Sequence, residues 1–172
     1  MPGLSHHSLV SPIIFPIFDC MKLTTEFKQK IFDACVGLLT DRVNNARTAM
    51  EDAQEAANGE EKSSAGDKYE TSRAMGQRDR EMYARQLVEA QNELNKIDRL
   101  NLEPVDVVKL GSLVMANDDI FFILTGIGKV QLDHHTVMVI SKESPLAAAM
   151  LGNSVNQEFV WNTNKWKIQE IG

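Results

Sequence analysis

The first long segment of the chain repeats apolar residues in steps of three and four, the spacing of one helical face. Thr24 or Thr25 can cap its start, and no proline or glycine interrupts it between Leu38 and Asn58. Asn58 and Gly59 supply a stop, because both residues tolerate a left-handed backbone. The spacing therefore predicts a helix with a coiled-coil seam, formed by Phe32, Cys35, Leu39, Val43, Ala46, Met50, Ala53 and Ala57.

A second helical run begins near Ser64 to Asp67, where short side chains suit a helix start. Toward the bend its stripe falls on Arg73, Gly76 and Arg80, so the seam is apolar at the base and polar near the bend. Each helix would have roughly 33 to 36 residues, which gives arms of roughly 50 Å. Similar lengths and a short bend predict an antiparallel hairpin over residues 24–100. The apolar part of the second seam consists of Tyr83, Leu87, Ala90, Leu94 and Ile97.

After Pro104 the hydrophobic period changes from 3.6 to 2, which is typical of β-strands. Gly111 and the turn residues Asn117 to Asp119 separate the first β-forming runs. The predicted strands are "VDVVKL", "SLVMAN", "DIFFILTG" and "HTVMVIS".

The segment "SPLAAAMLGN" predicts a compact helix. Ser144 is a good N-cap, Pro145 occupies the favoured first position, and Gly152 ends the helix. "EFVWN" and "KWKIQEI" then predict a hairpin around Asn162 to Asn164. Four to six strands with one short helix make residues 104–172 a small domain with an antiparallel β-sheet, and the fold class is α+β.

The distribution of charge draws attention to the bend at residues 58–70. The formal net charge is -6, and residues 51–70 hold seven acids against two lysines. Asp67 and Glu70, three residues apart at a helix start, are expected on one face. With Glu60 and Glu61 across the bend, they could offer oxygen ligands to a hard divalent cation that a partner completes. The shaft beyond the bend is basic, with Arg73, Arg78, Arg80 and Arg85.

A negative tip on a positive shaft suits insertion beside a metal ion and a phosphate backbone. The alternative is an oligomerisation coiled coil whose acidic bend is simply solvated. The net negative charge argues against coating nucleic acid, so no independent DNA binding is expected.

The remaining composition indicates a reducing compartment and no membrane span. Cys20 and Cys35 form neither a disulfide framework nor a zinc motif. Residues 1–23 are predicted to be an extension with little structure, too short to cross a membrane. His134 and His135 are expected to be exposed, because neighbours on a strand point to opposite faces.

Four motifs of the second half resemble the C-terminal domain of bacterial Gre transcript-cleavage factors, the GreA/GreB family. The family's "GSxV" element corresponds to residues 111–114, and its "ISxxSPL" element corresponds to residues 140–146. Residues 149–152, "AMLG", and residues 166–171, "WKIQEI", match the family's next two elements. With the long hairpin in front of them, the resemblance covers residues 24–172.

The resemblance implies a cytoplasmic elongation factor that binds bacterial RNA polymerase and contacts RNA within that complex. An FKBP-like domain, residues 104–172, would dock at the rim of the secondary channel through Ser144 and Pro145. The coiled coil would pass down the channel, where Asp67 and Glu70 would help to hold Mg²⁺. The polymerase's own active site then hydrolyses backtracked RNA, so the chain itself would not be an enzyme.

Two alignments of the tip with the family motif "GDLxENAEY" remain open. One places Gly66-Asp67 and Glu70 on the family's Gly-Asp and first Glu, which preserves both acids. The other aligns Tyr69 with the family's Tyr and places Lys62 and Ala65 at the acidic positions. The second alignment would suit a channel-binding regulator or inhibitor that does not stimulate cleavage.

A third interpretation is an FKBP-like prolyl isomerase or chaperone whose hairpin grips clients. Its active pocket would be lined by aromatic residues of the second half, which can equally form an ordinary core. These residues are Phe121, Phe122, Phe159, Trp161 and Trp166.

Overall fold

The computed structural model describes residues 22–60 and 66–172. Most of the predicted extension and the centre of the bend, including Glu61, therefore lie outside the described residues. The elements are α1 (Thr25–Glu60), α2 (Gly66–Ile97), β1 (Leu113–Ala116), β2 (Asp119–Leu124), β3 (Gly128–Leu132), β4 (His135–Ser141), α3 (Pro145–Met150), β5 (Glu158–Trp161) and β6 (Asn164–Ile171). The predicted fold class, a helical hairpin followed by a sheet with one short helix, is confirmed.

The first helix begins as its sequence predicts. The backbone N–H of Phe27 donates to Thr24 Oγ1 at 3.1 Å, so Thr24 is the N-cap. The helix continues through the expected stop at Asn58 and ends at Glu60. Its buried stripe contains Ile31, Cys35, Leu39, Val43 and Ala46, whereas Phe32 is only half-buried.

The two long helices pack against each other in opposite directions. Arg42 of α1 pairs with Glu93 of α2, with Nη1 and Oε2 3.6 Å apart. Nearer the bend, the α1 residues from Met50 to Asn58 lie beside Arg80. The seam is apolar at the base, where Ala90 and Ile97 are buried, and becomes polar and more open toward the bend.

One six-stranded sheet, in the order β3-β4-β2-β1-β6-β5, forms the second half. Its neighbours are antiparallel except β2 and β4, which run parallel. The sheet is therefore mixed, which corrects the expectation of a wholly antiparallel one. Strand β2 carries the pattern of a central strand, because five of its six residues are buried on both faces.

Each face of the sheet has its own hydrophobic core. One face packs on the hairpin base, where Ile31, Leu39 and Ile97 meet Leu113 and Phe122. The other face packs on α3, through Ala147 and Met150. The hairpin base and the sheet therefore share one core, which determines where the hairpin leaves the sheet.

The predicted strand "VDVVKL" is wrong except for one bridge between Val107 and Ser154. The backbone of Val108 instead bonds the loop after α3, through Asn153 and Gly152. The hairpin of β5 and β6 is confirmed. Asn162 and Thr163 form its two-residue turn, and both have positive φ, as a type I′ turn requires. Among the described helices, none is long and apolar enough for a membrane span.

Candidate functional site

The far end of the hairpin holds the residues that the sequence singled out for metal binding. Asp67 and Glu70 are the second and fifth residues of α2, which begins at Gly66. Both therefore lie in the first two turns of a helix, as the first alignment of the tip requires. Their side chains, and that of Glu60, lie outside what the structure describes.

Three acids on α1 are described close to the bend. Glu51, Asp52 and Glu55 are all exposed, and none of them joins an ion pair with another described residue. Their charge is therefore presented to solvent. Among the described residues, no group of three or more His, Cys, Asp or Glu side chains could hold a metal ion.

The shaft of α2 carries the predicted basic residues. Arg78, Arg80 and Arg85 are exposed, and Arg80 lines a shallow groove together with Glu51 and Glu55. The side chain of Arg73 is outside the described part. Exposed acids of α1 and exposed arginines of α2 thus lie side by side along the outer hairpin.

The second predicted site, Ser144 and Pro145, lies at the start of α3. Ser144 Oγ accepts a hydrogen bond from the backbone N–H of Ala147 at 3.1 Å, which makes Ser144 the N-cap. Pro145 is the first helical residue and is exposed. The structure thus separates the pair: the Ser144 hydroxyl holds the helix start, whereas the Pro145 ring faces solvent.

The three residues before this cap form a compact polar turn. Ser141 Oγ donates to Glu143 Oε2 at 2.6 Å and accepts from the Glu143 N–H at 3.1 Å. The hydroxyl of Ser141 is the main reason that the pKa of Glu143 lies below its ordinary value, and Lys142 and Lys96 add smaller effects. The carboxylate is therefore held charged beside α3.

A cleft runs between this turn and the end of α2. Its floor is apolar, with Ile97, Leu100 and Leu124, and its rim carries Lys96 and Lys142. This cleft was not predictable from the sequence, because its walls come from segments far apart in the chain. It lies beside the proposed docking loop and extends the surface available there.

The sequence also did not single out Lys28, the most deeply buried charged residue among those described. The helical period could have located it, because Lys28 is one turn before Ile31 and Phe32 on the apolar stripe. Its burial lowers the pKa of the amine, and the positive charge of Lys109 lowers it further.

The aromatic residues of the second half are largely core. Phe121 and Phe159 are buried, and each packs on Trp166 with ring centroids 5.8 and 6.2 Å apart. Trp161 and Trp166 are half-buried against the same cluster. This packing supports the interpretation of these residues as core and gives the isomerase interpretation no support.

Comparisons with known proteins found only distant structural similarities. No family model matches the chain, and no curated protein matches it. The crystal structure of GreA factor homolog 1 (Gfh1) of Thermus thermophilus is 19% identical, with 80% of this chain and 94% of that chain covered and a TM-score of 0.32.

Two further solved structures are similar to the same degree. A structure titled as the transcription factor Gfh1 is 19% identical, covers 79% of this chain and 92% of that chain, and has a TM-score of 0.31. The crystal structure of Thermus aquaticus Gfh1 is 17% identical, with coverages of 78% and 92% and a TM-score of 0.30. These TM-scores are too low for the similarities to identify the family or the function.

Proposed function

We propose that this chain is a Gre-like transcription elongation factor that binds bacterial RNA polymerase in the cytoplasm. The observation that carries the proposal is the antiparallel hairpin of 36- and 32-residue helices with exposed acids near its bend. At about 1.5 Å per residue, its arms are roughly 50 Å long. The sheet that follows carries the motif residues Ser144, Pro145 and Gly152 in the order that the family uses.

In this proposal the hairpin enters the secondary channel and the sheet domain docks at its rim. Asp67 and Glu70 supply carboxylate oxygens, the ligands that Mg²⁺ prefers, to an ion that the polymerase also holds. The ion would activate water and stabilise the leaving oxygen of the RNA. In this proposal the chain supplies ligands to the polymerase's metal ion and contacts RNA inside the complex, but it has no active site of its own.

A channel-binding regulator without cleavage stimulation is the second candidate. It is favoured by the alternative alignment of the tip, in which Lys62 and Ala65 take the acidic positions. Both candidates bind the polymerase, so only the chemical outcome in the complex distinguishes them.

The test uses purified bacterial RNA polymerase in a backtracked elongation complex with labelled RNA. We expect the parent chain to accelerate release of the 3′ fragment. Asp67→Ala and Glu70→Ala should each reduce this acceleration by about tenfold or more, because a metal ligand is lost. Glu89→Ala is the matched control, since Glu89 is an exposed acid on the shaft of the same helix.

Binding to the polymerase is measured in parallel for all four proteins and should be nearly equal. If binding is retained but the parent chain slows cleavage or leaves it unchanged, the regulator is correct and the stimulator is wrong. If the parent chain does not bind polymerase, both candidates are wrong.

A further inference from the structure

A buried lysine lies where the hairpin meets the sheet. Lys28, in the first turn of α1, is only 2% exposed. Its Nζ donates to the main-chain oxygen of Gly172 at 3.0 Å and, more weakly, to that of Glu103 at 3.4 Å. One side chain therefore joins α1 to the connection after α2 and to the end of β6.

Both acceptors are themselves held in place. Gly172 exchanges two backbone hydrogen bonds with Leu113, the first residue of β1, at 2.8 and 3.1 Å. Asn101 braces Glu103, because its side chain bonds both the N–H and the carboxylate of that residue. Lys28 is thus fixed to the sheet on one side and to a locally rigid turn on the other.

The rest of the contact between hairpin base and sheet is mostly apolar. Ile31, Cys35, Leu39 and Ile97 pack on the sheet within one hydrophobic cluster. Apolar burial stabilises this contact but is non-directional. Among the described residues, the only other side-chain hydrogen bond between the start of the hairpin and the sheet is that of Glu170, which accepts from the N–H of Leu23 at 2.9 Å.

A buried ammonium is an expensive way to stabilise this contact. Removing a charged group from water carries a large free-energy penalty. The lowered pKa of Lys28, caused mainly by burial, reflects that cost. Unlike an apolar side chain, the amine makes directional hydrogen bonds to two fixed main-chain oxygens, those of Gly172 and Glu103.

We propose that Lys28 is a positioning residue that fixes the direction of the hairpin relative to the sheet. The length of the hairpin amplifies any error at its base: a tilt of about 10° moves the end of a roughly 50 Å rod by about 9 Å. That such a tilt would misplace Asp67 and Glu70 at a partner's metal ion rests on the proposed function. That Lys28 sets the direction of the hairpin does not depend on it.

The experiment measures the hairpin direction in the isolated full chain. Nitroxide labels are placed on cysteines introduced at Thr48, exposed on α1, and at Val160, 62% exposed on β5. Cys20 is changed to serine, and the buried Cys35 is left in place. Double electron–electron resonance then gives the distribution of distances between the two labels.

Lys28→Met keeps the aliphatic volume and removes the amine. We expect its distance distribution to be about twice as broad as that of the parent, because only non-directional contacts remain. Lys30→Met is the matched control: Lys30 lies two residues further along, its side chain is 55% exposed, and its ion pair among the described residues is with Glu26 of the same helix. The charge of Asp133, in the turn after β3, has only a minor effect on the pKa of Lys30. Lys30→Met should leave the distribution unchanged.

The width of the distribution decides the outcome. If folded Lys28→Met has the parent's distribution, the proposal is wrong, whatever happens to its melting temperature. Lys28→Leu and Lys28→Ile provide folded alternatives if Lys28→Met does not fold. If none of the three variants folds, Lys28 is needed for folding rather than for setting the direction of the hairpin, and the proposal is also wrong. No polymerase is present, so failure of the proposed function would leave this measurement intact.

Discussion

At the residue scale, Cys35 lies in the middle of the core that joins the hairpin base to the sheet. Its side chain has no exposed surface, and burial raises the pKa of its thiol to about 12. A thiol with such a pKa is almost entirely protonated at neutral pH, and the thiolate is the reactive form. The buried structural role expected from its position on the stripe agrees with this environment.

We therefore expect Cys35 to be inert toward thiol reagents while the chain is folded. In a Cys20→Ser background, an aromatic disulfide reagent at pH 8 should modify no thiol in native conditions and one thiol in denaturant. Rapid modification of the folded chain would contradict the burial of Cys35. The unfolded sample is the control, because it reports the reactivity of the same thiol without its surroundings.

The same thiol should make stability depend on pH in the alkaline range. Its pKa is about 12 when folded and near 9.0 otherwise, so above pH 9 the unfolded chain loses a proton that the folded chain keeps. Stability contributed by the neutral thiol is present below pH 9 and declines as pH rises toward 12. Relative to Cys35→Ala, the parent should lose roughly 1 kcal/mol of unfolding free energy between pH 9 and pH 10.

The comparison with Cys35→Ala is necessary because Lys28 titrates in the opposite sense. Its folded pKa is lowered, so the destabilisation caused by burying its charged amine decreases as pH rises toward 10.5. Both chains contain Lys28, and the difference between them cancels its effect. A difference that stays constant from pH 8 to pH 11 would contradict the assignment to the thiol.

At the element scale, α3 depends on one hydroxyl for its start. A helix of six residues has little stability of its own, and the cap of Ser144 satisfies one of its unpaired N–H groups. Ser144→Ala should lower the free energy of unfolding by about 1 kcal/mol, measured by urea denaturation. Ser144→Asn should be nearly neutral, because asparagine caps as well as serine does.

This pair of variants also separates the two roles of Ser144. If the hydroxyl contacts the polymerase, both variants should weaken binding; if it only holds α3, Ser144→Asn should bind as the parent does. Pro145→Ala should weaken binding with a smaller loss of stability, because the ring is exposed. Normal binding by Pro145→Ala and by both Ser144 variants would remove this loop from the docking surface.

How far the sequence could predict these elements depends on how local their causes are. The N-cap of Thr24, the cap-proline start of α3 and the turn at Asn162 each rest on neighbouring residues, and all were predictable. Strand β3 was not singled out, because Val130 is its only buried residue. The segment around Val107 has strand-forming residues, but its backbone is paired with the loop after α3.

Other features depend on distant segments. The parallel pairing of β2 with β4 depends on which strands become neighbours, which residue periodicity does not encode. The burial of Lys28 is possible because main-chain oxygens of Glu103 and Gly172 accept from its amine, 75 and 144 residues away in the chain. The site residues Asp67 and Glu70 came from charge and spacing alone, and their role stays a prediction.

At the scale of the whole molecule, packing weakens from the base of the hairpin to its bend. Val43 and Ala46 are buried, whereas Met50 and Ala53 are half-buried. The seam of α2 changes in the same way, because Ala90 and Ile97 are buried, Tyr83 is half-buried and Arg80 is exposed. The base shares its core with the sheet, whereas the described outer turns of each helix lie against the facing helix.

This gradient predicts a gradient of local stability, because opening is easiest where few apolar contacts are lost. Backbone amides from residue 50 to 56 should exchange with solvent deuterium about 100-fold faster than those from 35 to 43. Mass spectrometry of peptides from the same helix supplies both values under one set of conditions. Equal protection along α1 would contradict the inference that the outer turns are weakly held.

The same measurement connects the molecule to its proposed partner. If the hairpin enters a channel of the polymerase, walls around the outer turns should slow the exchange of residues 50–56 far more than that of the already protected base. Docking at the rim alone would instead protect the region of Ser144 and leave the outer turns unchanged. Comparing the protection of residues 50–56 with that of the region of Ser144 therefore shows whether the hairpin is inserted in the channel or only docked at its rim. A weakly held outer end can adjust to the channel, while a base fixed by Lys28 keeps the direction of entry.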